Sequence, residues 1–449
     1  MIAQETATAL YTPFMSKTTG ELHTGRRGRL PVSTRAVIGS LAAFPPQFWL
    51  LMGGTLVYAI GVDMCYPFET LYLNGSLHIS VTTIGLILGI VGLAGLPLQL
   101  LGGSFADRFG RRGVLMVGIC GSMTLYIGLG LAHSLVLVVF VFLVEAAFGW
   151  SMFVTASNAM VADLVAPGRR AEAFGIGRTA INLGMIGGPL IALLFLSAYP
   201  AFRGLFIAAG GVCGIFLLIT ALRIRETKPR LAPRRIEGGL VGYGQVLRDR
   251  RFLLFSAVAL LPLYGFGQIF STFPVALHEA LGTTAAQWAR LLLVWAISAS
   301  ALQYPVMRIT RRRDPLILLA GASMILGLGL GGAPLIAKTW LTYVFMLVAS
   351  LGVVLLMPVT STVVAALAPV SLRGRYMSAW TIVYLGGSAL GPIFGGRAIG
   401  VLGPEVAFLI VGTAGLLGAI LFLVLRLYPG MCLIGNVPAV DGALQPDRF

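Results

Sequence analysis

Three carboxylates and one guanidinium sit where water is scarce. Asp63 lies near the middle of the first long apolar run, Glu69 six residues on, Glu145 near the middle of the fourth run, and Arg178 about two turns into the fifth. A carboxylate at that depth is costly. Asp63 therefore faces a wet cavity, pairs with a cation, or carries a proton, and each state suits a proton- or cation-coupled site. Six residues of helix place Glu69 about 9 Å along the axis from Asp63, nearer the end of the segment. Arg178 is expected to pair with Glu145 or Asp63, or else to snorkel to the nearer surface. Aromatic side chains with inward potential accompany them: Tyr58, Tyr66, Phe68, Trp150, Phe153, Tyr264, Phe266, Phe270, Trp295, Trp380 and Tyr384, with polar Asn182 and Gln268. A cavity lined by Tyr66, Asn182, Tyr264, Gln268, Phe270 and Tyr384 would be apolar and aromatic with few fixed polar groups. That suits amphipathic or lipophilic compounds, and cations through the ring faces.

A second constellation is the stretch Gly103-Ser104-Phe105-Ala106-Asp107-Arg108-Phe109-Gly110-Arg111-Arg112, which places four charges in six residues between two apolar runs. Gly103 lets helix ends approach closely, and Gly110 supports a sharp turn with positive φ. Asp107 can accept from backbone N–H groups at the start of another helix. Arg108, Arg111 and Arg112 hold the loop on the cytoplasmic side.

The elements that must position these groups are membrane spans. Of 449 residues, 57% are hydrophobic and 11% charged, and mean hydropathy is +0.91. A soluble chain of this length needs far more charge to cover its surface. Apolar segments near 48–73, 80–104, 113–132, 134–160, 173–198 and 204–223 precede a basic linker. Six more follow near 252–277, 286–307, 315–336, 340–366, 376–398 and 405–427. The expected fold is an all-α membrane protein with twelve transmembrane helices in two six-helix bundles. The division is a disordered cytoplasmic tail over 1–45, a bundle over 46–225, a linker over 226–250, a second bundle over 251–428, and a cytoplasmic tail over 429–449. The net charge of +16 resides mainly in alternate loops (Arg108, Arg111 and Arg112; Arg169 and Arg170; Arg308 and Arg311 to Arg313; Arg373 and Arg375), which places both termini in the cytoplasm of a multi-pass cell-membrane protein. The same bias removes the case for nucleic acid. Cys65, Cys120, Cys213 and Cys432 are scattered, and no histidine pairs with a cysteine at ligand spacing, so neither metal site nor cofactor is expected. No nucleophile elbow, phosphate loop or His-rich ligand set points to an enzyme.

The two halves repeat. Arg170-x₁₈-Pro189 in the fifth segment matches Arg373-x₁₈-Pro392 in the eleventh, and Arg108-x-x-Arg111-Arg112 has an echo in Arg308-x-x-Arg311-Arg312. Paired halves are a transporter signature, with the binding site between them at mid-depth. The 103–112 stretch resembles the signature loop of the major facilitator superfamily, G-x-x-x-D-R-x-G-R-R. Gly175, Gly184, Gly188 and Pro189 are spaced as in the antiporter motif of that superfamily's drug–proton exporters, although Ala192-Leu193 stand where the family has Gly-Gly.

The resemblance implies alternating access by two rocking bundles around a midplane site. It implies a cytoplasmic gate of Gly103, Asp107, Arg108, Gly110, Arg111 and Arg112, with Asp163 pairing with Arg111 and Asp107 facing the start of the eleventh helix near Arg373 to Tyr376. The family usually carries Arg-x-x-x-Gly in the fourth segment, where this chain has Glu145-Ala-Ala-Phe-Gly149, a reversed charge. The implied function is export of a small lipophilic or amphipathic compound in exchange for protons, by a functional monomer among membrane lipids. A proton-coupled or facilitated importer of a sugar or other small metabolite, or a lipid translocase, would use the same fold.

Overall fold

The computed structural model describes residues 44–199, 201–227, 243–310, 312–333, 339–369, 372–429 and 431, with backbone alone at 96, 98–107, 171, 243 and 339. The expected tails, most of the linker, Cys432, and the side chain of Asp107 with its neighbour Gly103 lie outside the described side chains.

The first apolar run forms α1 (Pro46–Asp63), a 3-10 turn over Tyr66–Phe68, and α2 (Glu69–Gly75). Proline at the start of α1 removes an N–H that would have lacked a helical partner anyway. Helix α3 (Val81–Phe109) opens at Ser80, whose Oγ accepts from the Thr83 N–H at 3.2 Å. It stops at Gly110, where a φ of 92° turns the chain directly into α4 (Arg111–Gly130). The fourth run is two helices, α5 (Leu135–Phe148) and α6 (Trp150–Leu164). Helices α7 (Arg170–Ala198) and α8 (Phe202–Arg223) complete the first half. After a short α9 (Tyr243–Val246), the seventh run is again divided, into α10 (Arg250–Gln268) and α11 (Phe273–Leu281). Then come α12 (Ala285–Thr310), α13 (Pro315–Gly332), α14 (Thr339–Leu367), α15 (Arg373–Leu402) and α16 (Pro404–Arg426).

Eleven helical stretches among the described residues are long and apolar enough to cross a membrane, and α3 adds the apolar stretch Val81–Gly95. The fold is an all-α, multi-spanning membrane fold. Exposed Val136, Phe140, Leu194 and Ile420 are what lipid-facing surfaces require. The sequence marks runs one, four and seven as single segments, whereas the structure breaks each near mid-length. Each break carries a polar side chain: Asp63 and Glu69, Glu145, and Gln268.

Helix α1 packs on α7 and α8, and α4 on α5, α6 and α8. In the second half α13 packs on α14 and α16, α10 on α15 and α16, and α12 on α14. The halves meet chiefly through α3 with α15 and α7 with α12, and α2 also touches α11. The first depends on glycine: a Cβ at Gly85 would run into the Pro392 carbonyl, and one at Gly396 would lie 2.6 Å from the Val81 carbonyl oxygen. Thr82 Oγ1 donates to the Gly396 carbonyl at 3.2 Å. These contacts lie at the end of the molecule away from the 103–112 loop, here the far end. At the loop end, a Cβ on Gly175 of α7 or Gly374 of α15 would meet nothing within 4 Å.

Candidate functional site

Between the halves, at mid-depth, is a small cavity of about 60 Å³ walled by four spans. Asp63, Tyr66 and Pro67 come from the broken first span, Met185 and Pro189 from α7, Phe270 from the break before α11, and Leu292, Trp295 and Ala296 from α12. Asp63 is its one ionisable carboxylate. The rings of Tyr66 and Phe270 are 5.8 Å apart, and those of Phe270 and Trp295 6.2 Å. Toward the far end Trp288, fully buried, donates its indole N–H to the Pro67 carbonyl at 2.8 Å and closes the cavity across the two halves. Helix periodicity explains the α7 wall: Arg178, Asn182, Met185 and Pro189 recur at i, i+4, i+7 and i+11, one stripe. The adjoining stripe, about 100° round the helix, carries Gly184 and Gly188 against α1. A Cβ on Gly188 would sit 2.5 Å from the Asp63 carbonyl carbon, and one on Gly184 would collide with Ala59. Two motif glycines thus press α7 onto the turn that presents Asp63.

Several expected residues are placed differently. Arg178 is exposed and makes no ion pair among the described residues; it lies within electrostatic reach of Tyr384 on α15. Its pairing with Glu145 or Asp63 is not made, because the Arg178 stripe turns to the second half while Glu145 points into the first. Glu69 does not share the cavity with Asp63: it is 3% exposed inside the first half, with Oε1 unpartnered. Gln268 does not line the cavity. Its Oε1 accepts from Thr272 Oγ1 at 3.0 Å and a Cβ at Gly395 would strike it, so it faces α15. Tyr264 lies beside Gln268 on the same face. Tyr384 packs on Phe266 at 5.9 Å. Tyr66 and Phe270 line the cavity directly, and Asn182 is one turn from Met185 toward the loop end. Pro67, Met185, Leu292 and Ala296 were not singled out from sequence, since an apolar residue in a span gives no sign of facing a cavity.

Glu145 belongs to a separate, buried network. Its Oε1 accepts from Ser122 Oγ at 3.1 Å and from the backbone N–H of Trp150 at 2.9 Å. Ser122 is 2.6 Å from the Tyr58 hydroxyl, which donates to it when Ser122 donates to Glu145. The Tyr58 ring lies nearly parallel to Trp150 at 5.9 Å and 4.1 Å from Phe153. The carboxylate therefore caps the start of α6, which exists because the span breaks at Gly149. A Cβ on Gly149 would occupy the carboxylate's own position. Glu145→Leu is expected to leave the Trp150 N–H and one hydroxyl proton of the Tyr58–Ser122 pair buried without an acceptor, costing about 1–3 kcal/mol for each. Glu145→Gln keeps an accepting oxygen and should cost little. Thermal unfolding in detergent of the two variants beside the parent measures the difference; equal midpoints for Gln and Leu would remove the cap.

At the loop end, Arg111 Nε lies 3.3 Å from Asp163 Oδ2, which also accepts from Thr227 Oγ1 at 3.2 Å. Glu226, just beyond α8 and not singled out from sequence, accepts from the backbone N–H groups of Arg111 at 2.9 Å and Arg112 at 3.1 Å. Gly110 is required beside it, since a Cβ there would meet the Glu226 carboxylate. Arg112 Nη2 donates to the Ala221 carbonyl at 2.5 Å. Arg108 lies over the Phe109 ring, 5.5 Å from its centroid. In the second half Asp249 caps α10 and accepts from the Tyr376 hydroxyl of α15 at 2.7 Å, so Tyr376 is held within its own half.

The sequence profile of the Major Facilitator Superfamily matches residues 51–356 and 323–431. The chain belongs to that superfamily. It is a membrane transport protein rather than an enzyme. The multidrug resistance protein MdtH of Aeromonas hydrophila is 29% identical over 380 residues, covering 82% of this chain and 92% of the relative. The MFS-type transporter YqjV of Bacillus subtilis is 26% identical over 388 residues, covering 83% and 92%. Among solved structures, the nucleoside transporter NupG superposes with a TM-score of 0.69 at 15% identity, covering 86% of this chain and all of that one; at that identity the likeness speaks for the fold alone. For a superfamily member the cavity's position is the informative part, since it lies between repeated halves at broken spans. The superfamily's usual fourth-segment arginine is absent here, and Glu145 fills that place with an acceptor that caps a helix.

Proposed function

We propose that this transporter exports a small lipophilic or amphipathic compound in exchange for protons. One observation carries the reading: Asp63, a carboxylate, is set into an otherwise apolar and aromatic cavity between the halves. Protonation of Asp63 would weaken its hold on a polar or cationic substrate group, so proton entry and substrate release alternate at one place. The likeness to a multidrug resistance protein favours this substrate class over a sugar.

The architecture that goes with it is twelve spans in two six-helix bundles, over 46–225 and 251–428, joined by a linker over 226–250. The tails 1–45 and 429–449 and the 103–112 loop face the cytoplasm, and one chain is the functional unit. Gly103, Asp107, Arg108, Gly110, Arg111, Arg112 and Asp163 form the gate at that face. In the state where the loop end shuts, Asp107 reaches the start of α15 near Arg373 to Tyr376. Glu145, and Glu69 with its free oxygen, form a reserve of buried carboxyls behind Asp63, and Arg178 sets the potential on the loop-end approach.

The class is tested in proteoliposomes with an imposed pH difference and a panel of lipophilic cations, neutral drugs, sugars and labelled phospholipids. Efflux of a lipophilic compound driven by inward protons is expected. Sugar uptake with protons, or lipid movement alone, would replace this reading by an importer or a lipid translocase.

A further inference from the structure

A groove of about 720 Å³ opens at the loop end, where α1 begins and α6 and α8 finish. Its walls are Leu50, Leu164 and Ile219, all half-buried; its rim is Gln47, Arg223 and Arg225. It is far from the Asp63 cavity, and the transport cycle proposed above does not use it.

The rim has an unbalanced charge. Arg223 and Arg225 are exposed and make no ion pair among the described residues. The nearest acids are already engaged: Glu226 accepts from the N–H groups of Arg111, Arg112 and Thr227, and Asp163 from Arg111 and Thr227. The backbone that carries the pair is fixed, because Gln47 Nε2 donates to the Arg225 carbonyl at 2.7 Å. Two arginines two residues apart thus line one groove on a fixed stretch of backbone, with no ion pair among the described residues.

Depth decides what they meet. Arg223 is the last residue of a membrane-length helix, and Leu218 and Leu222 of that helix are exposed to lipid. Trp49, partly exposed beside the groove, is the kind of ring that settles at headgroup level. A ligand here has its charged end at the arginines and its apolar end along Leu50, Leu164 and Ile219. The 45 residues that precede α1 carry five basic and two acidic side chains. Their charge has the same sign as the rim, so they are poor candidates to neutralise it.

We infer that this groove is a binding site for the phosphate headgroup of an anionic glycerophospholipid, with Arg223 and Arg225 on the phosphate and an acyl chain along the apolar wall. Arginine suits the task because its planar fork meets two phosphate oxygens at once.

The test uses the full chain in nanodiscs of phosphatidylcholine containing a minor fraction of phosphatidylglycerol. After detergent exchange, native mass spectrometry counts the phosphatidylglycerol retained per protein. The parent should retain about one molecule of phosphatidylglycerol and little phosphatidylcholine. Arg223→Gln with Arg225→Gln should weaken retention about fivefold per arginine, roughly 25-fold for the pair. Arg308→Gln with Arg313→Gln removes two charges from the same end outside the groove and should leave retention unchanged. Equal losses in the two pairs would reduce the effect to general surface attraction and overturn the site. Displacement of phosphatidylglycerol by millimolar inorganic phosphate would make it a free-anion site. Should the glutamine pair misfold, Arg223→Lys with Arg225→Lys keeps charge but loses the fork, and undiminished retention there would overturn the assigned contacts. Failure of any arm leaves the proton-exchange reading standing, since that reading rests on Asp63 and its assay reads proton-driven flux, not lipid retained at Arg223 and Arg225.

Discussion

Asp63→Asn should fold, bind substrate and let it equilibrate, yet fail to concentrate it when a pH difference is imposed. The substitution is nearly isosteric, so the close contact between Gly188 and the Asp63 backbone survives. What is lost is the ability to take up and release a proton beside Tyr66, Phe270 and Trp295. In the parent, each proton exchanged across one pH unit can support about tenfold accumulation, since roughly 1.4 kcal/mol corresponds to tenfold. In Asp63→Asn the accumulation ratio should fall to the value set by substrate alone, and uptake rate should lose its dependence on pH. Glu145→Gln is the companion measurement, because Glu145 lies in a different network that opens on no part of this cavity. Retention of coupling in Glu145→Gln with loss in Asp63→Asn assigns the proton to the cavity. The converse result would move coupling into the first half and sink the proposed role of Asp63.

The legibility of this molecule in its sequence was uneven, and the reasons are physical. Spans were legible because membrane-length apolar runs leave little choice, and because basic clusters punctuate them. The Arg111–Asp163 contact could be anticipated from resemblance. The breaks at Asp63, Gly149 and Gln268 were not, since a half-helix and a whole helix use the same apolar residues, and only the polar residue at each break hints at one. Arg178 was misjudged because depth along a span says nothing of direction. Its stripe, shared with Met185 and Pro189, faces the other half, whereas Glu145 is turned inward to Ser122 and the α6 start. Glu226 was overlooked because it sits in a basic linker where one acid attracts no notice. The second half shows that its role is not accidental. There Asp314 caps α13 through Leu316 N–H and binds Arg426, the last residue of α16, at 2.7 Å. In each half an acid ties the start of the third span to the finish of the sixth, but the acid comes from opposite partners. A comparison of aligned residue types misses such an exchange, while the geometry preserves it.

Gly85→Ala is expected to impair transport more than any other single methyl group added to α3. A Cβ at Gly85 runs into the Pro392 carbonyl, which is backbone and cannot rotate away, and approaches the Gly396 Cα at 3.1 Å. The far end can close only if α3 and α15 touch there, so the added methyl penalises one state of the cycle and not the other. Overpacking of this kind costs about 1–3 kcal/mol, which shifts the balance between far-end-closed and far-end-open states by roughly 5- to 150-fold. Gly92→Ala is the internal control. Its Cβ would lie 3.5 Å from the Ala389 Cβ, an ordinary contact, and transport should be near that of the parent. Thiol labelling of Thr381→Cys reports the loop end directly, because Thr381 is exposed and lies one turn from Tyr384 on the same face of α15. Labelling should drop when Gly85→Ala is added and hold when Gly92→Ala is added. Should both glycine variants label and transport alike, the α3–α15 contact is not what closes the far end, and closure must rest on the Trp288–Pro67 contact and the α7–α12 wall instead.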